Sequence, residues 1–529
     1  AEDVDGLQVT GRGGSYNTWE GNALFGKSIE GLEITGYLDY MNTDGFRGHV
    51  ERDMQTLLDE QFGTDLSLAP GNMKGDANQW DGQLTMKYGA FKFDGKYFGR
   101  KHDLPFGYYP TLDNRSFNDH SQYYLNLSYN EAVMEGLDIS AKVYRNQYMD
   151  SITEQIRPKG AWVNTPSGPT RLSQDMYFVY EPKTSRTGLE AQSSYEIWDA
   201  NIIVGGITFE QMESYDNGVK GTYLPTGSQF AVIPLSSLQS WPESDCNPDI
   251  KRELWAAYLE DVWDIRNDLR LTIGGRYDHY SDVGGQFSPR LGINWDFAEN
   301  YYAKFLYGKS FRAPTYLELY RPNIGNPDLK PMTKDSYRLS FGLRFLPAFT
   351  ALVTGFYYKP KNVIAAVPLS PGIFKYINYG ETSNKGIELE MKYDFGRGTY
   401  LSMNYTYIDI ALRDQNNQPV AHSWSARQLG TVSANIRLNK YLNLNAYLLY
   451  RGDWTRANGD TRDDPGDYAV VNATLIARNF LKELEGLELR ASVKNLFNKE
   501  YTAPTEPGVL PDDVPMPGIN FFLEMRYTF

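Results

Sequence analysis

The sequence predicts an all-β fold, a 22-stranded antiparallel transmembrane β-barrel with short periplasmic turns and long extracellular loops, and three observations predict it. Apolar and polar residues alternate with period two in segment after segment. Short and long connections alternate between those segments. Aromatic residues are abundant, yet no apolar run could form a membrane-crossing helix. Over 529 residues aromatics make up 14%, with 40 Tyr, 26 Phe and 10 Trp, while charged residues stay at 22%. The longest apolar stretch, "ANIIVGGI" at 200–207, falls well short of the roughly 20 residues that a spanning helix needs. A barrel strand faces lipid with alternate residues only, so its averaged hydropathy looks soluble. Tyr and Trp then supply the two interfacial girdles.

The alternation is explicit at the C-terminus, where Phe521, Leu523, Met525, Tyr527 and Phe529 share one face and Phe522, Glu524, Arg526 and Thr528 the other. In "LRLTIGGRYD" the residues Leu269, Leu271, Ile273 and Tyr277 oppose Arg270, Thr272, Arg276 and Asp278. Leu401, Met403, Tyr405 and Tyr407 oppose Ser402, Asn404 and Thr406 in the same way. Strands of about ten residues with one apolar face mark transmembrane β-structure. A soluble sheet with one wet face is disfavoured, because soluble strands are nearer 5–6 residues.

Short links fall at 28–31, 89–91, 198–201, 264–268, 298–300, 346–349, 396–398 and 439–441. Long ones fall near 43–77, 101–119, 148–184, 214–250, 312–334, 360–383, 411–424, 452–466 and 497–518. Strand starts follow near residues 7, 19, 31, 78, 91, 120, 137, 185, 199, 251, 268, 287, 301, 335, 349, 384, 399, 425, 441, 467, 487 and 519. An even count places both ends of the barrel on the periplasmic side. Three turns share a pattern, "IEGLEI", "MEGLDI" and "LEGLEL", in which Gly31, Gly136 and Gly486 are expected to take positive φ.

Several function classes drop out. The single cysteine, Cys246, excludes a disulfide framework. A net charge of -14 argues against nucleic acid as a partner. No phosphate-binding loop, paired Cys/His spacing or nucleophile elbow occurs, so neither an enzyme nor a bound cofactor is expected. The first residues lack the apolar core of a signal peptide.

Local motifs add an identity to the barrel. The run "YGKSFRAPTYLELYRPNIGNPDLKPMTKDSYRLSF" (307–341) contains Phe311-Arg312-Ala313-Pro314, Glu318-Leu319-Tyr320 and Gly325-Asn326-Pro327-Asp328-Leu329-Lys330-Pro331. It resembles the seventh-loop signature of TonB-dependent outer-membrane receptors. "GGRYDHY…SPRLGINWDF" (274–297) resembles the hairpin before it, and "ASVKNLFNKEY" (491–501) with the C-terminal strand resembles the family's last two strands. The terminal Phe529 resembles the signal read by the barrel-assembly machinery. The resemblance implies energised uptake of a scarce solute, foremost a ferric siderophore, with cobalamin or oligosaccharide as alternatives. It also implies outer-membrane lipid and lipopolysaccharide as surroundings, and a plug domain acting through TonB as partner.

The family's N-terminal plug and TonB-contacting box have no counterpart in this sequence, and residues 5–28 resemble the first barrel hairpin. The whole of 1–529 is therefore expected to be barrel. The plug would precede this sequence, reside on a separate chain, or be naturally absent. The competing function is a plugless passive porin, or a scaffold housing another chain. A bare lumen of this size would leak water and ions, which argues for a plug from some source.

Setting the apolar face outward assigns the lumen by parity. Inward arginines are Arg270, Arg276, Arg290, Arg312, Arg338, Arg344, Arg490 and Arg526, facing the carboxylates Asp278, Asp296, Glu488 and Glu524. Charge pairing within a wet wall is the plainer reading. The sharper one makes Arg276, Arg290 and Arg312, on three consecutive strands, guides for an anionic chelate. For Arg312, anchoring the seventh loop to a carboxylate is preferred over ligand contact. Aromatic residues in the long loops are candidate ligand contacts: Tyr108, Tyr109, Tyr177, Tyr180, Tyr215, Tyr223, Phe230, Trp241, Tyr316 and Tyr320. Haem is disfavoured, because 315–325 lacks the histidine that the family's haem receptors carry there. His102, His120 and His422 are expected as isolated loop residues.

Overall fold

The computed structural model describes residues 5–107, 109–226, 231–345, 348–370, 373–414, 418–420, 426–454, 456, 460–505 and 510–529. Twenty-two antiparallel strands form one closed wall. In chain order they are β1 (Gly6–Gly14), β2 (Thr18–Ile29), β3 (Leu32–Thr43), β4 (Ala77–Tyr88), β5 (Phe91–Asp103), β6 (Phe117–Met134), β7 (Leu137–Arg157), β8 (Lys183–Trp198), β9 (Asn201–Tyr215), β10 (Ile250–Arg266) and β11 (Leu269–Tyr280). They continue as β12 (Gly284–Ala298), β13 (Tyr301–Arg312), β14 (Met332–Phe345), β15 (Phe349–Lys361), β16 (Ile373–Gly396), β17 (Thr399–Asp414), β18 (Gln428–Arg437), β19 (Leu442–Gly452), β20 (Tyr468–Arg478), β21 (Leu487–Lys494) and β22 (Asn520–Thr528). Each pairs with its sequence neighbours, and β22 pairs with both β21 and β1, which closes the barrel. Closure removes the open edges that a sheet could not bury in lipid.

The outer face is apolar. Leu259, Ile207, Ile387 and Phe341 are among its exposed side chains, as expected where lipid replaces water as solvent. Ring contacts mark two girdles. Trp19–Tyr40–Trp80 and Tyr307–Tyr337–Tyr357 lie toward the extracellular end. Trp295–Phe297–Tyr301 and Phe349–Tyr393–Phe395 lie at the periplasmic turns.

Two expectations need correction. β16 starts at Ile373, well before the expected 384, because its first residues pair above the wall with Val363–Ser370. This ribbon extends the barrel into what the sequence presents as loop. Gly31 and Gly136 take φ of 85° and 75°, but Gly486 is not among the positive-φ glycines. Gly486 is needed for close approach: a Cβ there would lie 2.0 Å from the Thr528 carbonyl oxygen. Gly486→Ala should therefore loosen the β21–β22 seam by about 1–3 kcal/mol of overpacking strain, read as a lower temperature for the folded-to-unfolded gel-mobility shift.

Candidate functional site

Residues from five extracellular connections (44–76, 104–116, 158–182, 216–249 and 313–331) and the upper end of β7 wall one cavity of about 730 Å³. Its position rests on buried carboxylates. Asp53, fully buried, caps the helix Met54–Phe62 by accepting from the Thr56 backbone N–H at 2.8 Å. It also accepts from the Leu112 N–H at 2.8 Å and the Ser67 hydroxyl at 2.8 Å, which ties the first long loop to the next. Asp59 accepts from the Leu66 and Ser67 N–H groups, both at 2.7 Å. This fixed loop delivers Leu58 and Phe62 to the cavity wall. Opposite, Ile156, Ala161, Leu172, Met176 and Tyr223 form a buried apolar cluster. Trp241 donates its indole N–H to the Tyr223 carbonyl at 2.7 Å and packs on the Tyr223 ring with centroids 5.1 Å apart.

The lining combines seven aromatic rings (Phe62, Tyr109, Trp162, Phe178, Tyr180, Tyr223 and Trp241) with Arg157, Arg321, Glu154 and Asp245. Of the loop aromatics expected from sequence, Tyr109, Tyr180, Tyr223 and Trp241 meet here. Tyr177 instead lies under the Arg115 guanidinium at 4.5 Å, and Tyr215 accepts from Gln147 at 2.7 Å. Tyr108 and Phe230 fall outside the described residues.

Arg157 is the unusual member. Only about 9–11 residues of a tilted strand cross the membrane, so the end of the 21-residue β7 stands above it. Its guanidinium lies 4.2 Å from the Tyr109 ring centroid. Its Nη1 is buried and has no hydrogen-bond partner among the described residues. Burial pushes its pKa below the ordinary arginine value, yet an arginine stays charged. Burial likewise raises the Glu154 carboxyl, with the Asp113 charge adding to it. Neither Arg157 nor Arg321 forms an ion pair with a carboxylate among the described residues.

The parity-assigned arginines differ in just this respect. Arg276 pairs with Asp278 at 2.8 Å, Arg290 with Glu260, Arg338 with Glu388 at 2.7 Å and Arg270 with Asp264 at 2.6 Å. Arg344 lies 3.8 Å from Asp296. Arg490 and Arg526 share Glu488 and Glu524. Arg312 holds both oxygens of Glu318, at 2.8 and 2.9 Å. Glu318 also accepts from the Thr315 N–H at 2.7 Å, closing a capping box on the short helix Tyr316–Tyr320. Burial would raise the Glu318 carboxyl, but these bonds outweigh it and hold it below the usual range.

A second anchor beneath that helix has no sequence signal of its own. Arg252, 7% exposed, contacts Asp282 at 2.7 Å and donates to the Pro314 carbonyl at 3.1 Å. Its guanidinium lies under the Tyr316 ring at 4.8 Å, and the Tyr320 hydroxyl donates to Asp282 at 3.1 Å. Burial pushes Tyr316 up to about 12. Tyr316 and Tyr320 thus belong to this anchor and do not line the cavity. Phe311 meets the Tyr280 ring edge-on, Pro314 and Leu329 are buried, and Ala313 follows Arg312 at the top of β13. Asn326 donates to the Tyr376 carbonyl at 2.9 Å, and Pro327 follows it into the turn whose Lys330 N–H donates to Asn378 at 2.9 Å. The seventh loop is thereby stapled to the ribbon that extends β16.

On the far side of the mouth, two loops are clasped by buried ion pairs. Arg456 contacts Asp513 at 2.6 Å, and Arg462 contacts Asp460 at 2.7 Å and the Thr505 carbonyl at 2.8 Å. Hydrogen bonds from Arg462 hold Asp460 far below the usual carboxylate range. Burial would raise Asp513, but Arg456 and the Thr505 N–H bring it below its ordinary value. Both folded pKa values lie under the unfolded value of about 3.9. The clasp's stabilisation is therefore full above that value and is lost as pH falls through the depressed pKa values. Hydrogen exchange in 495–505 should stay slow from pH 7 to about pH 4 and accelerate below it, after correction for intrinsic rates.

The histidines differ from expectation. His102 and His120 lie on β5 and β6, because these strands run past their expected ends, and their ring centroids are 6.0 Å apart. They are neighbours across the wall, where isolated loop residues were expected. His422 lies outside the described residues. Among the described residues no three metal-ligating side chains converge.

Comparison with known proteins matches this architecture. The family model "TonB dependent receptor-like, beta-barrel" matches residues 236–496. An iron-regulated outer membrane virulence protein of Vibrio cholerae is 29% identical over 279 residues, 47% of this chain and 42% of that protein. The vitamin B12 transporter BtuB of Photobacterium profundum is 25% identical over 330 residues, 61% of this chain and 47% of that protein. The chain thus spans less than half the length of these curated relatives. The solved structure of a ferric enterobactin receptor variant from Pseudomonas aeruginosa superposes with a TM-score of 0.71 at 15% identity, covering 100% of this chain and 81% of that one. Closed 22-stranded wall, stapled seventh loop and matched family model converge: the chain belongs to the TonB-dependent receptors of the bacterial outer membrane, as their β-barrel.

Proposed function

We propose that this barrel serves active uptake of a ferric siderophore, captured in the 730 Å³ cavity above the lumen. The observation that carries the reading is the pairing of seven aromatic rings with two arginines that lack carboxylate partners among the described residues. The volume lies within the range of small-molecule sites. Aromatic walls suit the flat, partly apolar faces of an iron chelate, and unpaired guanidinium groups suit its negative charge. The iron-regulated relative supports an iron source. Movement of the chelate through the lumen would need a plug domain, in cis or in trans, drawn by TonB from the inner membrane.

A second reading is cobalamin, favoured by the resemblance to vitamin B12 transporters. Charge separates the two. Quenching of the fluorescence of Trp162 and Trp241, titrated with a ferric catecholate, a ferric hydroxamate and cyanocobalamin, should show saturable binding of an anionic ferric chelate that weakens with added salt. Salt-independent binding of cyanocobalamin alone would shift the assignment to the corrin.

A further inference from the structure

At the opposite end of the barrel, the periplasmic turns β16–β17 and β18–β19 enclose a second cavity of about 600 Å³. Its lining includes Arg397, Arg437 and Lys440 and, among the described residues, no carboxylate. At the β10–β11 turn, by contrast, both arginines are neutralised: Arg266 pairs with Asp268 at 3.0 Å, and Arg270 with Asp264 at 2.6 Å. The walls are fixed by short bonds. The Arg437 backbone N–H donates to Thr399 Oγ1 at 3.1 Å, and Asn439 Oδ1 accepts from the Tyr441 and Leu442 N–H groups at 2.8 and 3.0 Å. Arg397 is held at φ 55° between two glycines that also have positive φ. Gly or Asn suits that conformation better, so the turn keeps an arginine against its backbone preference.

The depth of this cavity identifies its occupant. Phe395 and Leu438, 63% and 53% exposed, stand on the lipid-facing side at its edge. Phe395 packs on Tyr393 at 4.5 Å, and Tyr393 meets Phe349, so the cavity lies at the periplasmic girdle, the level of inner-leaflet headgroups. None of the three cations has a carboxylate partner among the described residues; Arg437 Nε reaches only the Asn439 carbonyl at 3.4 Å and Lys440 lies over the Tyr441 ring at 4.7 Å. Cations so placed beside an apolar flank match a headgroup phosphate with its acyl chains alongside. We propose that this cavity binds the phosphate headgroup of an anionic phospholipid of the inner leaflet, whose chains run up the wall past Phe395 and Leu438. The site is independent of the extracellular capture cavity, and either can fail without the other.

Native mass spectrometry of the purified full chain, released from nanodiscs of phosphatidylcholine with phosphatidylglycerol, tests this. The unsubstituted barrel should retain phosphatidylglycerol over phosphatidylcholine by on the order of tenfold. R397Q/R437Q/K440Q should lose that preference, and R266Q/R270Q should keep it. R397G removes a cation while relieving the backbone, so it should weaken retention in a barrel at least as heat-stable as the parent. Equal retention by the parent and the triple variant would overturn the proposal. So would full displacement of the lipid by inorganic phosphate, which would make the occupant a free anion. If the triple variant fails to assemble, unchanged retention by R397G overturns the proposal and reduced retention supports it.

Discussion

Arg157→Ala should weaken binding of an anionic ferric chelate by on the order of 10–100-fold, the equivalent of one or two charge-assisted hydrogen bonds, while leaving the empty barrel as stable or slightly more so. The opposite signs follow from geometry. Arg157 stacks on Tyr109 and keeps a buried Nη1 without a partner among the described residues. In the empty receptor that group has lost hydration and gained no carboxylate, so removing it relieves a cost. With an anionic chelate in the proposed site it would gain the missing partner. Arg157→Lys should recover only part of the affinity, because an ammonium lacks the planar fork that holds two oxygens at once. The loss should show as faster dissociation, with little change in association. A variant that binds as tightly as the parent, or a barrel destabilised by the substitution, would place Arg157 in the scaffold.

Arg252→Ala should release the seventh loop. Arg252 joins three strands' worth of structure: its own β10, Asp282 in the tight β11–β12 connection and the Pro314 carbonyl at the root of the loop. Removing one partner of a fully buried pair costs about 3–5 kcal/mol; Asp282 is 14% exposed, so the cost here should fall at or below the low end of that range. Asp282 would keep only the Tyr320 hydroxyl of these partners, and Tyr316 would lose the cation beneath its ring. The wall is held by its own ladders, so the effect should be local. Protease added to intact cells should cut within 315–331 in the variant and not in the parent, with unchanged heat-modifiable mobility of the barrel. Removing Asp282 as well should restore part of the resistance, because the stranded charge goes with it.

These two arginines show where sequence reading reaches its limit. Strand order, orientation and most starts were legible because period-two alternation is imposed by lipid on one side and water on the other. β16 begins earlier than alternation indicates because its first residues stand above the membrane, where that constraint ends. Parity assigns Arg276, Arg290 and Arg312 to the lumen side, and each pairs there with a carboxylate. Arg157 and Arg321, 164 positions apart in sequence, line one cavity, an arrangement set by strand register and loop packing that no local pattern encodes. Composition did mark the aromatic mouth, through Tyr109, Tyr180, Tyr223 and Trp241. The local pattern presents Gly486 as a turn glycine, yet its requirement is the approach of the Thr528 carbonyl from a strand that follows later in the chain.

The proposed energised capture of an iron chelate is tested most directly by radiolabelled ferric-chelate uptake in iron-starved cells. Cells carrying the full gene should take up the chelate with saturable kinetics that vanish without TonB and drop sharply in the R157A/R321A double variant at equal surface expression. Uptake that rises linearly with concentration, and is indifferent to TonB and to both arginines, would contradict the account and leave a passive pore.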